Sequence, residues 1–323
     1  MANDWFELKI AEKHEEAENI FIFELMDRTG RKLPPFAAGS HVEMRIGDNI
    51  RHYSLAGSPS DDSRYVIAVQ REQSGRGASR TLCDEFQVGQ LVPVSSPKNH
   101  FKLKETTMPS LLIAGGIGIT PIVSMALQLW SEGKPFELHY AARSRQRMAF
   151  RSYLQDTPFA SRVHFHFSEK SETGRLDLAA TIGSVPRESH VYVCGPSALI
   201  DATTTLAKQL GKPAETVHFE RFSGIRTVAN GRCDASSFLL QIRSTGKRIS
   251  VSAGETAAQA LLAAGIALPV SCEQGICGTC VTRILEGVPE HNDGYLTDEE
   301  RRANMLFVPC CSRAQSDVLV LDL

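Results

Sequence analysis

The sequence lacks the excess of one charge sign that would commit it to nucleic acid: 35 Lys and Arg stand against 37 Asp and Glu, a formal net charge of -2. No global basic field is therefore available for phosphate backbones. Internal repeats and low-complexity tracts are also missing, which excludes disordered, collagen and fibrous readings. The opening residues MANDWFELKIAEKHEEAEN show no positive n-region, apolar h-region and cleavage site, so a reducing cytoplasm is the expected setting. One uncharged run, Leu111 to Trp130, has the length of a membrane span. Gly115, Gly116, Gly118 and Pro121 interrupt it, however, so it reads as a strand (LLIA), a glycine turn (GGIGIT) and a helix opening with Pro121. No membrane contact is expected.

Cysteine is present but unevenly spread. Eight cysteines in 323 residues are too few for a small disulfide scaffold. Cys83, Cys194 and Cys233 stand alone, while Cys272, Cys277, Cys280, Cys310 and Cys311 crowd into the C-terminal block. That crowding points to metal or redox chemistry.

The length admits about two domains, yet the pattern changes twice. Residues 5 to 105 hold runs with period-two alternation (WFELKIA, IFIFELM, HVEMRI, RHYSLAG, RYVIAVQR) between Gly, Pro, Asp and Ser clusters, which predicts a small antiparallel β-barrel as a first domain, 1 to 105. From 106 to 228, strand candidates FELHYAAR, VHFHF and HVYVCGP alternate with helical stretches at Met148 to Gln155 and Ser197 to Leu210, the rhythm of an α/β parallel-sheet domain. Residues 223 to 237 read as a linker. A third domain, 234 to 323, opens with a hairpin turning at Thr245-Gly246 and an alanine-rich helix from Thr256 to Ala264. From Asp234 onward 7 Lys and Arg face 11 Asp and Glu, so this domain is acidic.

The strongest chemical signal is Cys272-x4-Cys277-x2-Cys280 with a distant Cys310 or Cys311, the spacing of plant-type [2Fe-2S] ferredoxins. Three thiolates on one short loop must converge on a small inorganic core, and Gly275 and Gly278 let the backbone fold round it. A zinc site is disfavoured because only one short Cys pair exists. Spacing alone does not choose between Cys310 and Cys311. An iron-sulfur cluster moves single electrons, so a donor site is needed. GGIGITP, between a strand and a helix, suits an anion approaching bare backbone N–H groups; Cys194-Gly195-Pro196 ends another strand at the same carboxyl edge, where open α/β sheets bind ligands. Arg51-His52-Tyr53-Ser54, followed by Gly75-Arg76-Gly77-Ala78-Ser79, suits a phosphate beside a planar ring.

Taken in order, RHYSLAGSP, GRGAS, PKNHF, GGIGITPI, VYVCGP, VHFERF, CEQGICGTC and CCSRA resemble the phthalate dioxygenase reductase family over essentially the whole chain. Within it the ferredoxin block is most similar to vanillate O-demethylase reductase subunits. The resemblance implies three modules: an FMN-binding barrel, an NADH-binding α/β domain and a β-grasp ferredoxin-like domain. It implies that Arg51, Tyr53, Ser54 and Val69, with Gly77, Ala78 and Ser79, hold FMN. Ala78 departs from the glycine usual there, which preserves binding if its φ is negative. Gly115, Gly116, Thr120, Pro121, Cys194, Gly195 and Pro196 fall in the nicotinamide nucleotide motifs. Thr120 and Cys194 position rather than react, Phe222 covers the flavin ring, and Arg143 marks the adenine ribose. Arg145 could receive a 2'-phosphate, but NADH is preferred by resemblance. Cys272, Cys277, Cys280 and Cys310 are the implied cluster ligands.

The expected activity is electron transfer from NADH through FMN to the cluster and on to a Rieske-type terminal oxygenase acting on an aromatic acid, whose docking face accepts the acidic third domain. A haem monooxygenase is the alternative client. A cluster-based redox sensor is disfavoured by the intact nucleotide motifs.

Overall fold

The computed structural model describes residues 5–47, 49–73, 77–169, 174–222, 237–270, 275–276 and 278–323, arranged in two compact units, Met1–Glu220 and Arg221–Leu323. The first unit opens with strands β1 (Trp5–Ala17), β2 (Ile20–Asp27), β3 (Ser40–Ile46), β4 (Asn49–Ser54), β5 (Tyr65–Gln70), β6 (Leu91–Ser95) and β7 (Lys98–Asn99), with helix α1 (Ala78–Asp84) between β5 and β6. The sheet order β4-β3-β6-β1-β2-β5 is antiparallel throughout, and a bridge from Leu55 to Ile67 joins its two ends into a barrel. The alternation read from sequence points Leu8, Ile10, Phe23, Leu25, Val42, Met44, Ile67, Val69, Val92 and Val94 into one core. β1 runs longer than its apolar segment predicts because two register shifts let it follow β2.

The same unit continues with β8 (Ser110–Gly115), α2 (Ile119–Ser131), β9 (Phe136–Ala142), α3 (Arg151–Gln155), β10 (Val163–Phe167), α4 (Leu178–Gly183), β11 (Val191–Cys194), α5 (Ser197–Gln209) and β12 (Val217–Glu220). These strands form a parallel sheet in the order β10-β9-β8-β11-β12. Every position of β8 is buried, as a strand covered on both faces requires. Leu111, Ile113, Val191 and Val193 pack against Ile182 of α4 and Ile200 and Ala207 of α5. The uncharged stretch 111–130 is thus a buried strand, a 3₁₀ turn at Gly116–Gly118 and α2; no helix among the described residues is long and apolar enough to cross a membrane. α2 begins two residues before Pro121. α3 is shorter than the predicted 148–155 helix because Phe150 adopts φ +59, which no continuing helix tolerates.

The second unit contains β13 (Phe238–Ile242), β14 (Arg248–Val251), α6 (Ala257–Ala263), β15 (Thr282–Glu286), β16 (Pro289–Glu290), α7 (Asp298–Ala303), β17 (Leu306–Phe307), β18 (Arg313–Ala314) and β19 (Val318–Leu321). Its main sheet runs β14-β13-β19-β15-β17, with β13 and β19 parallel and the other pairs antiparallel. α6 packs on it through Ala257, Ala258, Ala260 and Leu261, the mixed sheet and single packed helix of a β-grasp. The predicted hairpin turns at Gly246, φ +67, whose N–H donates to Ile242 O at 2.8 Å. A reciprocal capping box between Thr256 and Gln259 starts the alanine-rich helix where its sequence places it.

Candidate functional site

The order of the parallel sheet reverses between β8 and β11, and a crevice at such a reversal is where open α/β sheets bind ligands. Both glycine motifs lie there. A Cβ on Gly115 would stand 2.7 Å from Leu199 and 2.8 Å from Pro196, and one on Gly118 would overlap the Cys194 carbonyl. Bare backbone is therefore needed for the ends of β8 and β11 to meet. Thr120 and Pro121 are buried in the first turn of α2, with Thr120 Oγ1 donating to Ile117 O at 3.1 Å. No side chain caps α2, but Ile119 N–H already donates to Gly116 O and Pro121 has no N–H, so what this turn offers a dinucleotide is the unobstructed glycine backbone rather than a row of free helix N–H groups. Gly195 is half-buried and Pro196 exposed beside them. Arg143, exposed, follows β9 at the same carboxyl edge. Arg145 lies over the Phe167 ring, 5.6 Å from its centroid.

Cys194 is fully buried, and burial pushes its thiol well above the ordinary value. It is therefore a neutral thiol. Glu220 ends β12 and pairs with Cys194 across the ladder. Its stem is half-buried, but its Oε2 is shut off from solvent and has no hydrogen-bond partner. Desolvation raises its carboxyl to about 8, against a hydrogen bond from the Ser54 hydroxyl that pulls it down. Glu220 is thus a protonated acid that links Ser54 of the barrel to Cys194 of the sheet. In the sequence Glu220 is one residue of FERF, and no motif marks it. The one signal for it is that FERF closes a strand as VYVCGP does; the register of β11 and β12 then sets Glu220 beside Cys194.

On the barrel, Arg51 and Tyr53 share one face of β4, while His52 and Ser54 share the other. Arg51 donates to Ile50 O at 2.7 Å and to Asn49 Oδ1 at 3.0 Å. The half-buried Tyr53 packs on the barrel core; burial raises its phenol and the Arg51 charge partly offsets that rise. His52 stacks on His41 at 4.9 Å and stands 3.7 Å from the buried Glu43, which Lys98 holds at 2.7 Å. It faces that ion cluster and not the Arg51–Tyr53 side. Val69 is buried in the barrel core on the terminal strand β5, so its main chain is what it can offer a ligand. α1 is preceded by Gly77, φ +87, at the N-cap position, and a glycine has no side chain with which to cap it; Ser79 Oγ, inside the first turn, accepts from Glu72 N at 3.2 Å. Ala78 is helical; the positive φ falls on Gly77, so the alanine departure leaves its N–H in place. These uncapped N–H groups fit a phosphate, and Tyr53 with Arg51 fits a planar anionic ring system. Gly75 and Arg76 lie outside the described residues.

In the second unit Cys280 and Cys310 are buried in the apolar core, and Cys311 is half-buried with its Sγ against Gly275. Cys272, Cys277 and Cys233 lie outside the described residues. Gly275 and Gly278 have φ of +72 and +70, and a Cβ on either would overlap a neighbouring side chain. The loop thus requires glycine where thiolates must be drawn together, which fits a cluster. Phe222, half-buried, is two residues beyond β12.

Comparison with known proteins follows the same lines. Residues 112–205 match an oxidoreductase NAD-binding domain, and 240–315 match a 2Fe-2S iron-sulfur cluster binding domain. The chain is 44% identical over 308 residues to a vanillate O-demethylase oxidoreductase of Pseudomonas sp. strain HR199, covering 95% of this chain and 96% of the relative. It is similar to the solved phthalate dioxygenase reductase, a modular structure for electron transfer from pyridine nucleotides to [2Fe-2S], at 37% identity and a TM-score of 0.78, covering 99% and 98% of the two chains. An intact type IV self-sufficient cytochrome P450 monooxygenase also matches, at 36% identity and a TM-score of 0.79, over 98% of this chain and 41% of that one.

Proposed function

Since the chain belongs to the phthalate dioxygenase reductase family, we propose that it is the reductase component of a Rieske-type oxygenase or O-demethylase in the cytoplasm, delivering electrons from NADH to that partner. When bound, FMN supplies the conversion of a two-electron hydride into single electrons, which the [2Fe-2S] cluster relays outward.

The chain's own residues bind and orient. Arg51, Tyr53 and the Val69 main chain hold the flavin ring, Phe222 covers it, and Gly77, Ala78 and Ser79 hold the phosphate. Gly115, Gly116, Pro121, Gly195 and Pro196 admit the dinucleotide backbone to the sheet edge, and Arg143 receives its adenosine end. Arg145 is engaged with Phe167, which leaves NADH favoured over its 2'-phosphorylated form. Thr120 and Cys194 fix the nicotinamide. Glu220 keeps its proton, holds Ser54 and leaves no net charge beside Cys194, so the site excludes water without a carboxylate repelling the dinucleotide. His52 serves the barrel through Glu43. Cys272, Cys277, Cys280 and Cys310 hold the cluster.

The observation that carries this reading is the meeting of Ser54, Glu220 and Cys194 at the carboxyl edge of the sheet, beside the glycine turns. The test is NADH-driven reduction of cytochrome c and of ferricyanide by holoprotein that releases FMN on denaturation. Cys277→Ser should abolish the first activity and retain much of the second, which draws on the flavin. Absence of NADH oxidation, or survival of both activities in the variant, contradicts it. A haem monooxygenase client is the second reading, favoured by the likeness to the P450 fusion; reconstitution with an oxygenase of either type separates them.

A further inference from the structure

Among the described residues of the second unit, five large apolar side chains are exposed: Leu262, Leu285, Val288, Tyr295 and Met305. Tyr295, 44% exposed, is the one whose ring lies on the loop carrying the cluster cysteines. A Cβ on Gly278, between Cys277 and Cys280, would overlap the Tyr295 ring. The ring therefore rests on the bare backbone of Gly278, two residues from Cys280, while nearly half of the residue stays exposed.

The segment that presents it is rigidly built. Asp293 is buried, its Oδ2 accepting from Leu296 N at 2.8 Å and Tyr295 N at 3.2 Å, and its Oδ1 from the Ser312 hydroxyl at 3.4 Å. Arg301 donates to the Asp293 carbonyl at 2.6 Å and stands 3.6 Å from its carboxylate; His291 stands 3.6 Å from the other oxygen. Gly294 N donates to Gly275 O at 2.9 Å, tying the segment to the cluster loop a second time. The part of this firmly held aromatic that remains exposed gains nothing for the fold. It has the character of an interface anchor: large, amphipathic and already ordered, so little entropy is lost when a partner covers it. Among the described residues, the exposed charges of the same stretch are Glu290, Glu299 and Glu300 against Arg302, and the domain as a whole carries an excess of acidic residues.

We propose that Tyr295 is the docking contact for the protein electron acceptor, which presents an apolar pocket ringed by basic side chains, and that Asp293 is the positioning residue that holds the ring over the cluster loop. This rests on the electron-transfer reading above and names the surface that reading leaves open.

The test compares full-length holoprotein with Tyr295→Ala and Tyr295→Phe, using cytochrome c as the basic protein acceptor and ferricyanide as the small one. The ratio of kcat/KM for cytochrome c to that for ferricyanide should fall about tenfold in Tyr295→Ala, the loss expected of an anchor residue, through KM. It should be restored in Tyr295→Phe, and a smaller fall of the same sign should appear in Asp293→Asn. Raised salt should weaken cytochrome c turnover in the wild type. An unchanged ratio in Tyr295→Ala with an intact cluster EPR signal overturns the proposal. If that variant loses its cluster, nitration of Tyr295 in the wild type decides: protection by cytochrome c supports the contact, and equal nitration with and without it refutes it. Wild-type protein with no NADH-driven ferricyanide turnover would instead refute the electron-transfer reading.

Discussion

Replacing Glu220 with glutamine keeps size and hydrogen-bonding capacity and removes only the ionisable proton, so it isolates the cost of a buried carboxyl. In the fold this carboxyl titrates near 8, against 4.5 for an ordinary glutamate. The folded state therefore holds a proton that the unfolded chain releases between those values, and wild-type stability must fall as pH rises across that window. Each pH unit well inside the window removes about 1.4 kcal/mol, and the accumulated penalty reaches roughly 4 kcal/mol by pH 8. Glu220→Gln carries no such penalty. Urea unfolding of holoprotein, followed by flavin release, should give similar midpoints for both proteins near pH 5 and a clear advantage to the variant at pH 8. The wild-type kcat/KM for NADH should also decline with an apparent pKa near 8 as a charge appears beside Cys194, and the variant should lack that limb. Parallel stability curves for the two proteins from pH 5 to 8 would refute the claim that Glu220 is a neutral acid.

Gly118→Ala tests the close approach of the two glycine turns: its backbone is ordinary helical (φ -64), so the added methyl acts purely by overlapping Cys194. It should cost about 1–3 kcal/mol of stability as an overpacking change and raise the KM for NADH, with FMN content retained. Two histidine pairs, His139 with His166 at 3.1 Å and His190 with His218 at 2.8 Å, are hydrogen-bonded in the neutral form. Burial, then the neighbouring imidazoles, depress His139 to about 4; burial, then His190, depress His218 to about 4. Their contribution is complete above 6.5 and is lost as pH falls toward 4. Thermal midpoints should drop across that window and drop less in a His139→Gln, His218→Gln double variant.

Much of this was legible beforehand, because the decisive signals are local. Period-two runs locate β2, β3 and β5, the glycine turns locate the sheet edge, and the Thr256 cap locates α6. What was hidden depends on which strands become neighbours. Glu220 acquires meaning only when β12 lies beside β11, and the separation of His52 from Arg51 and Tyr53 only when β4 is given a face. The role of Asp293 is similar: its partners come from Tyr295, Leu296, Arg301, Ser312 and His291, and no spacing rule gathers them. The shortened α3 reflects the conformation of Phe150, for which propensity gives no warning.

The most direct test of electron transfer from NADH through flavin to cluster is anaerobic addition of NADH to the purified holoprotein, with flavin absorbance and low-temperature EPR recorded together. The account predicts that the flavin bleaches and a reduced [2Fe-2S] signal appears in the wild type, and that Cys277→Ser bleaches without the signal. Flavin that stays oxidised, or a cluster that stays silent beside reduced flavin in the wild type, would contradict it.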